Sequence, residues 1–368
     1  MPTPQRGFFM EKNAWLNGFA HIKALTPFKL KKLLEYFDND PGIAWNSYKN
    51  WPHGLISPKA MNKAAEVIKN VDIAFCWEKV LLKKIKTTSI YDSDYPYFLK
   101  QIPDPPLLLY YYGQLPKARQ HLITVVGSRK ISSYGKDALE YLLKPLTQAG
   151  VGIISGLAFG TDAEAHRLAL AQNVYTLGVL ASGVNRITPV SNINLARNIY
   201  KAGGAVISEF PPGINAAKHH FQQRNRILAG LSPTTLIIEA ANKSGTLITA
   251  KYAVDSNRNI AAVPVSIFSQ VSKGCNSLLA QGAQLISKPE ELLELYNLSY
   301  TDINKNVSLN KEEALIVDLL GNEPCHFDTL HEKSLLQSNS LLTLLTTLEL
   351  KGIVCNVPGL GYSLKHSS

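Results

Sequence analysis

The sequence predicts an α/β protein: an extended Rossmann-like, doubly wound and mostly parallel sheet, flanked by a small N-terminal helical domain and a C-terminal winged-helix domain. Three observations predict it. From His121 onward, the apolar runs LITVVG (122–127), VGIISG (151–156), VYTLGVL (174–180), GAVIS (204–208), TTLIIEA (234–240) and NIAAVPV (259–265) alternate with helical segments. Continuous β-branched runs between helices mark strands covered on both faces, and such alternation is the signature of a parallel doubly wound sheet. Helical periodicity without strands precedes this region, and three helical runs with a Gly-bearing two-strand pattern follow it.

Residues 1–86 carry the helical pattern, of SAM or helix-hairpin-helix type. LTPFKLKKLLEYF spaces its apolar residues for one helix face, with Pro27 in the first turn, and SPKAMNKAAEVI repeats the design with Ser57 as N-cap and Pro58 at N1. Lys29, Lys31, Lys32, Lys59 and Lys63 are expected on solvated faces. The Pro- and Tyr-rich stretch 87–115 leads into the sheet domain, expected over 87–298. A polar linker at 299–308 precedes the third unit, 309–368. There KEEALIVDLL, HFDTLHEK and NSLLTLLTTLELKGIV give three helices and PGLGYSL completes the wing. The third helix holds few side chains able to read bases, with Lys351 its only cation, which suits a protein-contact module better than a DNA reader.

A chain of 368 residues with 45% hydrophobic content has length for two or three domains with real cores. No uncharged apolar run is long enough for a membrane span and no secretory leader pattern opens the chain, so a cytoplasmic protein is expected. The cysteines, Cys76, Cys275, Cys325 and Cys355, are widely spaced without CxxC, which argues against a zinc site or disulfide framework. The net charge of +10 is unevenly placed: residues 101–300 hold 18 Lys and Arg against 11 Asp and Glu, whereas residues 301–368 hold 5 against 8. Residues 1–100, with 15 Lys and Arg against 9 Asp and Glu, and residues 101–300 favour a polyanionic partner and the tail does not.

The chemistry concentrates at the expected carboxyl ends of the strands, where open α/β sheets bind ligands. GSRKISSYG (127–135) follows the first parallel strand; Gly127 permits a tight turn, successive amides ahead of a helix can cradle phosphate, and Arg129 can close over it. The spacing is not GxGxxG, so no dinucleotide cofactor is expected. KHHFQQRNRILAGLS (218–232) joins cations to an aromatic ring, the pairing that sequence-tolerant binding of a single strand requires. At about 100° per residue, Phe221, Arg224, Asn225 and Leu228 share a helix face, while Arg226 points nearly the opposite way and is expected in a structural ion pair.

Other strand-end motifs leave more than one role open. Thr161 or Asp162 can cap the helix after SGLAFG, and Asp162 with His166 is either a catalytic pair or a capping carboxylate with a structural histidine. Glu239 is either a general base or a strand-end carboxylate holding loop amides. Ser244, Gly245 and Thr246 form a second helix-start anion nest, and Arg186 sits on the loop after the third run.

In order and spacing, GSRKISSYG, SGLAFGTDAEAH, SGVNRITPVSN, SEFPPG, FQQRNRILAGLS, EAANKSGTLITA and SKGCNSLLAQGA resemble the DNA-processing protein A family, DprA or Smf, and LLTLLTTLELKGIVCNVPGLGYSL is similar to its winged helix. The resemblance covers about residues 87–365. It implies a homodimer formed through the Rossmann domain that binds single-stranded DNA in a basic pocket without sequence preference, without a cofactor or metal and without a catalytic residue. It further implies delivery of the strand to the RecA recombinase in natural transformation and recombination. The implied DNA contacts are Gly127, Ser128, Arg129, Lys218, Phe221, Asn225 and Arg186, and the shared helix face adds Arg224 beside Asn225 at the floor of the same pocket. The sequence departs from the family pattern at Ala181, Asn185 and Thr188, all in one loop, and at Val265. The rival reading is a nucleotide phosphoribohydrolase using Glu239 or Asp162. That class uses a PGGxGTxxE turn, where this chain has NKSGTLITA, lacking the paired glycines and the glutamate.

Overall fold

The computed structural model describes residues 10–242, 244–269, 273–299, 310–320, 325–334, 336–350, 353–357 and 361–364. The chain divides into two compact units, Met1–Leu298 and Ser299–Ser368. Residues 300–308 of the expected linker and Lys351 lie outside the described residues.

The first unit opens with α1 (Lys12–Phe19), α2 (Pro27–Tyr36), α3 (Pro41–Asn46), α4 (Pro58–Asn70) and α5 (Ile73–Leu82). Caps set these helices: Thr26 and Ser57 each accept a hydrogen bond from the amide three residues on, with Pro27 and Pro58 at the first position as expected. Phe19 is the hub of their core, its ring centroid 5.1 Å from that of Trp45 and 6.1 Å from that of Trp51. Lys31, Lys32, Lys59 and Lys63 are exposed, and Lys29 is half-buried. The helices do not stand apart from the sheet: Leu16, Phe19 and Ile22 belong to one buried cluster with Leu107, Leu109 and Tyr110. The buried Tyr110 hydroxyl donates to Asn17 at 2.7 Å across that seam.

There follow β1 (Lys86–Ser89), α6 (Tyr97–Lys100), β2 (Leu108–Gly113), β3 (Leu122–Val126), α7 (Ser133–Gln148), β4 (Gly152–Ser155), α8 (Thr161–Ala171) and β5 (Thr176–Val179). Then come α9 (Ile193–Lys201), β6 (Ala205–Ser208), α10 (Lys218–Gly230), β7 (Thr234–Ile237), α11 (Gly245–Asp255), β8 (Asn259–Ala262), α12 (Lys273–Ala280), β9 (Gln284–Leu285) and α13 (Pro289–Glu294). The sheet order is β1-β2-β6-β5-β4-β3-β7-β8-β9. All pairs from β6 to β9 are parallel, whereas β1 and β2 add antiparallel strands at one edge. The six expected runs form β3 to β8. The Pro- and Tyr-rich lead-in, expected only as a connection, supplies β1 and β2.

The order of strands reverses at β3. The chain runs outward through β4, β5 and β6, then returns to lay β7 on the other side of β3, with Val126 opposite Ile237. The returning element is α10, and its far end is strapped to β3: Thr124 Oγ1 donates to Leu228 O at 2.8 Å and Thr124 N to Ser232 Oγ at 3.0 Å. A reversal of this kind opens a crevice at the strand ends.

In the second unit, α14 (Lys311–Leu320), α15 (Phe327–Ser334) and α16 (Ser338–Leu350) precede the antiparallel pair β10 (Val354–Val357) and β11 (Gly361–Leu364). Ile316, Leu320, Leu330, Leu341, Leu345 and Leu348 make its core. This is the winged-helix arrangement the sequence predicts.

Candidate nucleic-acid interface

The loop after β3 forms the first wall. Its glycine is sterically required, because a Cβ on Gly127 would lie 2.5 Å from Thr161 Oγ1. Thr161 donates to the Ser128 carbonyl from both its amide (3.1 Å) and its hydroxyl (3.2 Å), and Thr246 Oγ1 donates to the Gly127 carbonyl at 3.2 Å. Ser128 Oγ accepts from the Lys130 amide at 3.0 Å. At the far end of the loop, the buried Glu239 carboxylate takes the Ser132 amide at 3.0 Å and the Ser132 hydroxyl at 2.5 Å. Of the two roles left open for Glu239, the structure shows it holding the loop. With both flanks tied, Arg129 projects exposed.

The second wall is α10. Arg224, Asn225 and Phe221 face the loop, as the helical phase predicts. The Phe221 ring lies 5.0 Å from the Arg129 guanidinium and 5.9 Å from that of Arg224. Arg224 is buried and donates to the Gly156 carbonyl at 2.8 Å, to the Val179 carbonyl, and to Asn225 Oδ1 at 3.2 Å. Asn225 passes the connection on to the Gly245 carbonyl at 3.2 Å. Burial pushes the Arg224 guanidinium down to about 10, opposed by the nearby Asp162 carboxylate, and the neighbouring Arg129 charge adds to the depression. Arg226 turns away, as expected, into an ion pair with Glu209 at 2.5 Å and Asp104 at 3.4 Å.

Between the walls lies a cleft of about 920 Å³ lined by Gly127, Ser128, Arg129, Lys218, Phe221, Arg224 and Asn225, with Ser244, Gly245 and Thr246 on its third side. Lys218, the first residue of α10, is exposed and Phe221 half-buried. No side chain caps α10 or α11; the His220 and Leu247 amides bond back to the Ala217 (2.9 Å) and Ser244 (3.2 Å) carbonyls, and the positive helix starts have no side-chain cap to compete with an anion. The cleft therefore offers exposed cations at its mouth, an aromatic face between them and helix-start dipoles within. That suits a phosphate chain carrying flat bases.

Two expectations need correction. Arg186 does not line this cleft; it stands exposed on the loop after β5. Neither Thr161 nor Asp162 caps α8, whose N-cap is Gly160. At φ of 71°, Gly160 adopts a backbone that strongly favours glycine, and Thr161 is spent on the Ser128 carbonyl. Asp162 instead accepts the Ala158 amide at 3.3 Å; burial pushes its carboxyl above the usual range and the Arg224 charge pulls it back. His166 is fully buried with Nδ1 2.7 Å from Thr176 Oγ1, and burial, with a smaller push from Arg224, drives its imidazole down to about 3. That is the structural histidine of the two alternatives. The sequence reading missed Gln222, Ile248 and Thr249 as lining residues. Gln222 stands four residues after Lys218, Ile248 three after Gly245 and Thr249 three after Thr246, and that helical spacing carries the signal. Among the described residues no group of three or more His, Cys, Asp or Glu is placed to hold a metal ion, and no helix is long and apolar enough to cross a membrane.

Residues 86–297 match the family model of DNA recombination-mediator protein A, and residues 305–359 match the DprA winged helix domain. The chain is 35% identical over 307 residues to Protein Smf of Escherichia coli (strain K12), covering 80% of each chain. It is similar to the solved structure of DNA processing protein A from Streptococcus pneumoniae, with TM-score 0.68 and 31% identity over 77% of this chain and 98% of that one. The Helicobacter pylori DNA processing protein A, whose structure concerns its single-stranded DNA binding mode, matches with TM-score 0.52 and 25% identity over 59% of this chain and 98% of that one.

Proposed function

Because the chain belongs to the DNA recombination-mediator protein A family, we propose that it binds single-stranded DNA without sequence preference in the cleft between the 127–132 loop and α10, and takes part in DNA processing during transformation. The observation that carries this reading is the exposed guanidinium of Arg129 set 5.0 Å from the Phe221 ring at the cleft mouth, with Lys218 lining the same cleft. Cations neutralise phosphate, and an aromatic face accepts any base, because every base has a π-face. The named subject of the Helicobacter pylori structure supports the same class of ligand.

Within this reading the protein is a cytoplasmic binder, not a catalyst. Working as a homodimer joined through the sheet domain, it passes the bound strand to the RecA recombinase. The carboxylates nearest the cleft favour binding over catalysis, since Glu239 is engaged by Ser132 and Asp162 by Ala158.

Fluorescence anisotropy on oligo-dT and on a mixed-sequence strand tests the binding. The two should bind alike, with affinity falling steeply as salt rises, and Arg129→Ala and Phe221→Ala should each weaken both. Unchanged affinity in both variants would overturn the cleft as the site, and release of free base from a nucleoside monophosphate would overturn the non-catalytic role. Delivery is tested by RecA filament formation on strands coated with single-strand-binding protein, which the protein should accelerate.

A further inference from the structure

We propose that Phe159 is a second base-stacking platform, continuing the path of a bound strand past Arg129 onto the loop between β4 and α8. This rests on the single-strand-binding reading of the cleft and extends it to a side chain outside the cleft lining.

Phe159 is 53% exposed, between Leu157, which is fully buried, and the glycine that starts α8. A phenylalanine left half in water forgoes part of its hydrophobic burial. Here the exposure is imposed by the backbone. Leu157 has φ of 54° and Gly160 of 71°, so the loop makes two left-handed turns with Phe159 between them. A branched leucine there is uncommon and costs energy, and strain of this kind persists only where the surroundings hold it.

The surroundings do hold it. Buried Asn192 donates from Nδ2 to the carbonyls of Leu157 (2.9 Å) and Ala158 (3.2 Å), and Asp162 takes the Ala158 amide. Leu157 is sealed in the core with Leu180, Leu195 and Ile199. A loop fixed this firmly presents its aromatic side chain at little further ordering cost on binding.

The position also fits. Ala158, the preceding residue, lines the cleft itself. The backbones of the two loops touch, since Thr161 donates its amide to Ser128 and a Cβ on Gly160 would come within 2.7 Å of the Arg129 carbonyl oxygen. A strand whose phosphate meets Arg129 beside Phe221 therefore emerges beside Phe159. Two aromatic side chains near one arginine, Phe221 beside its guanidinium and Phe159 on the loop whose backbone meets that of Ser128 and Arg129, match the pairing of aromatic faces and cations that lets a groove follow a single strand without reading its sequence.

The test compares Phe159→Ala, Phe159→Trp and Phe221→Ala on a length ladder of oligo-dT. Phe159→Ala should leave strands of about four nucleotides unaffected and weaken strands of about twelve by about fivefold or more, the loss expected for one stacked base. Phe159→Trp should restore affinity, and its added fluorescence should be quenched by oligo-dT beyond any change in the wild type, whose tryptophans lie within residues 15–77. Wild-type affinity of Phe159→Ala at every length, or an unquenched Phe159→Trp, with Phe221→Ala still impaired, would overturn this inference and leave the cleft assignment standing. If Phe221→Ala and Arg129→Ala also bind normally, the underlying reading fails.

Discussion

The guanidinium of Arg129 lies 5.0 Å from the ring centroid of Phe221, although the first residue follows β3 and the second belongs to the helix that returns from β6. An exposed cation over an aromatic face is worth about 0.5–1 kcal/mol. The pair is thus organised before any ligand arrives. Arg129 orients the ring, and the ring keeps the guanidinium at the mouth of the cleft.

This coupling predicts a non-additive mutational cycle. Arg129→Ala removes a phosphate partner and also frees the ring, so Arg129→Ala combined with Phe221→Ala should cost less than the two single losses together, by about 0.5–1 kcal/mol in oligo-dT affinity. Arg129→Lys keeps the charge without the planar fork and should recover only part of the loss. Anisotropy titrations of the four proteins of the cycle, and of Arg129→Lys beside them, check both points.

Lys218 predicts a change in salt slope. It is exposed and sits at the start of α10, so its expected role is charge neutralisation. Lys218→Ala should reduce the slope of log affinity against log salt by about 0.7, the value for one phosphate contact on a single strand. The loss should be uniform across sequences, which titrations at several salt concentrations measure.

Arg226 and Phe221, on opposite faces of α10, predict opposite phenotypes. Arg226→Ala leaves the buried Glu209 carboxylate without its cation, and the part-exposed Asp104 without its partner, and should cost about 3–5 kcal/mol of stability. Phe221→Ala, half-buried at the cleft, should change stability far less while weakening DNA binding. Urea denaturation beside oligo-dT titration separates the two.

His166 predicts a specific acid sensitivity. Its imidazole titrates at about 3 in the folded protein and near 6.5 when unfolded, so below 6.5 the unfolded chain takes up a proton that the native protein does not. The stability present above that pH is lost as pH falls through this window, and about 2 kcal/mol should disappear between pH 7.5 and pH 5. In His166→Asn this part of the pH dependence should vanish. Denaturant midpoints at the two pH values check it.

The architecture was legible where one physical cause dominated. Runs such as TTLIIEA and LITVVG are apolar along both faces, which only a strand covered on two sides tolerates, and they became β7 and β3. The opposition of Arg224 and Arg226 followed from helical phase alone. By contrast, β2 was hidden because its LLLYYYG run sits behind a proline-rich lead-in, and its antiparallel place beside β6 depends on a partner far along the chain. The capping of α8 was misjudged because the positive φ of Gly160, not a nearby oxygen-bearing side chain, sets where that helix begins. Arg186 was assigned to the wrong surroundings because its distance from α10 depends on the path of its loop. Phe159 left no mark in the pattern, since only the turn at Leu157 and Gly160 decides which way it faces.

The placement of β7 against β3 has a consequence for a chain still emerging from the ribosome. The order in space puts β7 between β3 and β8, so while synthesis passes through β4, β5 and β6 one edge of β3 lacks its partner. The loop bearing Arg129 is made early, but the ring that faces it arrives with α10, and Thr246 and Glu239, which fasten that loop, arrive later still. A nascent chain thus has no complete cleft until α11 is in place.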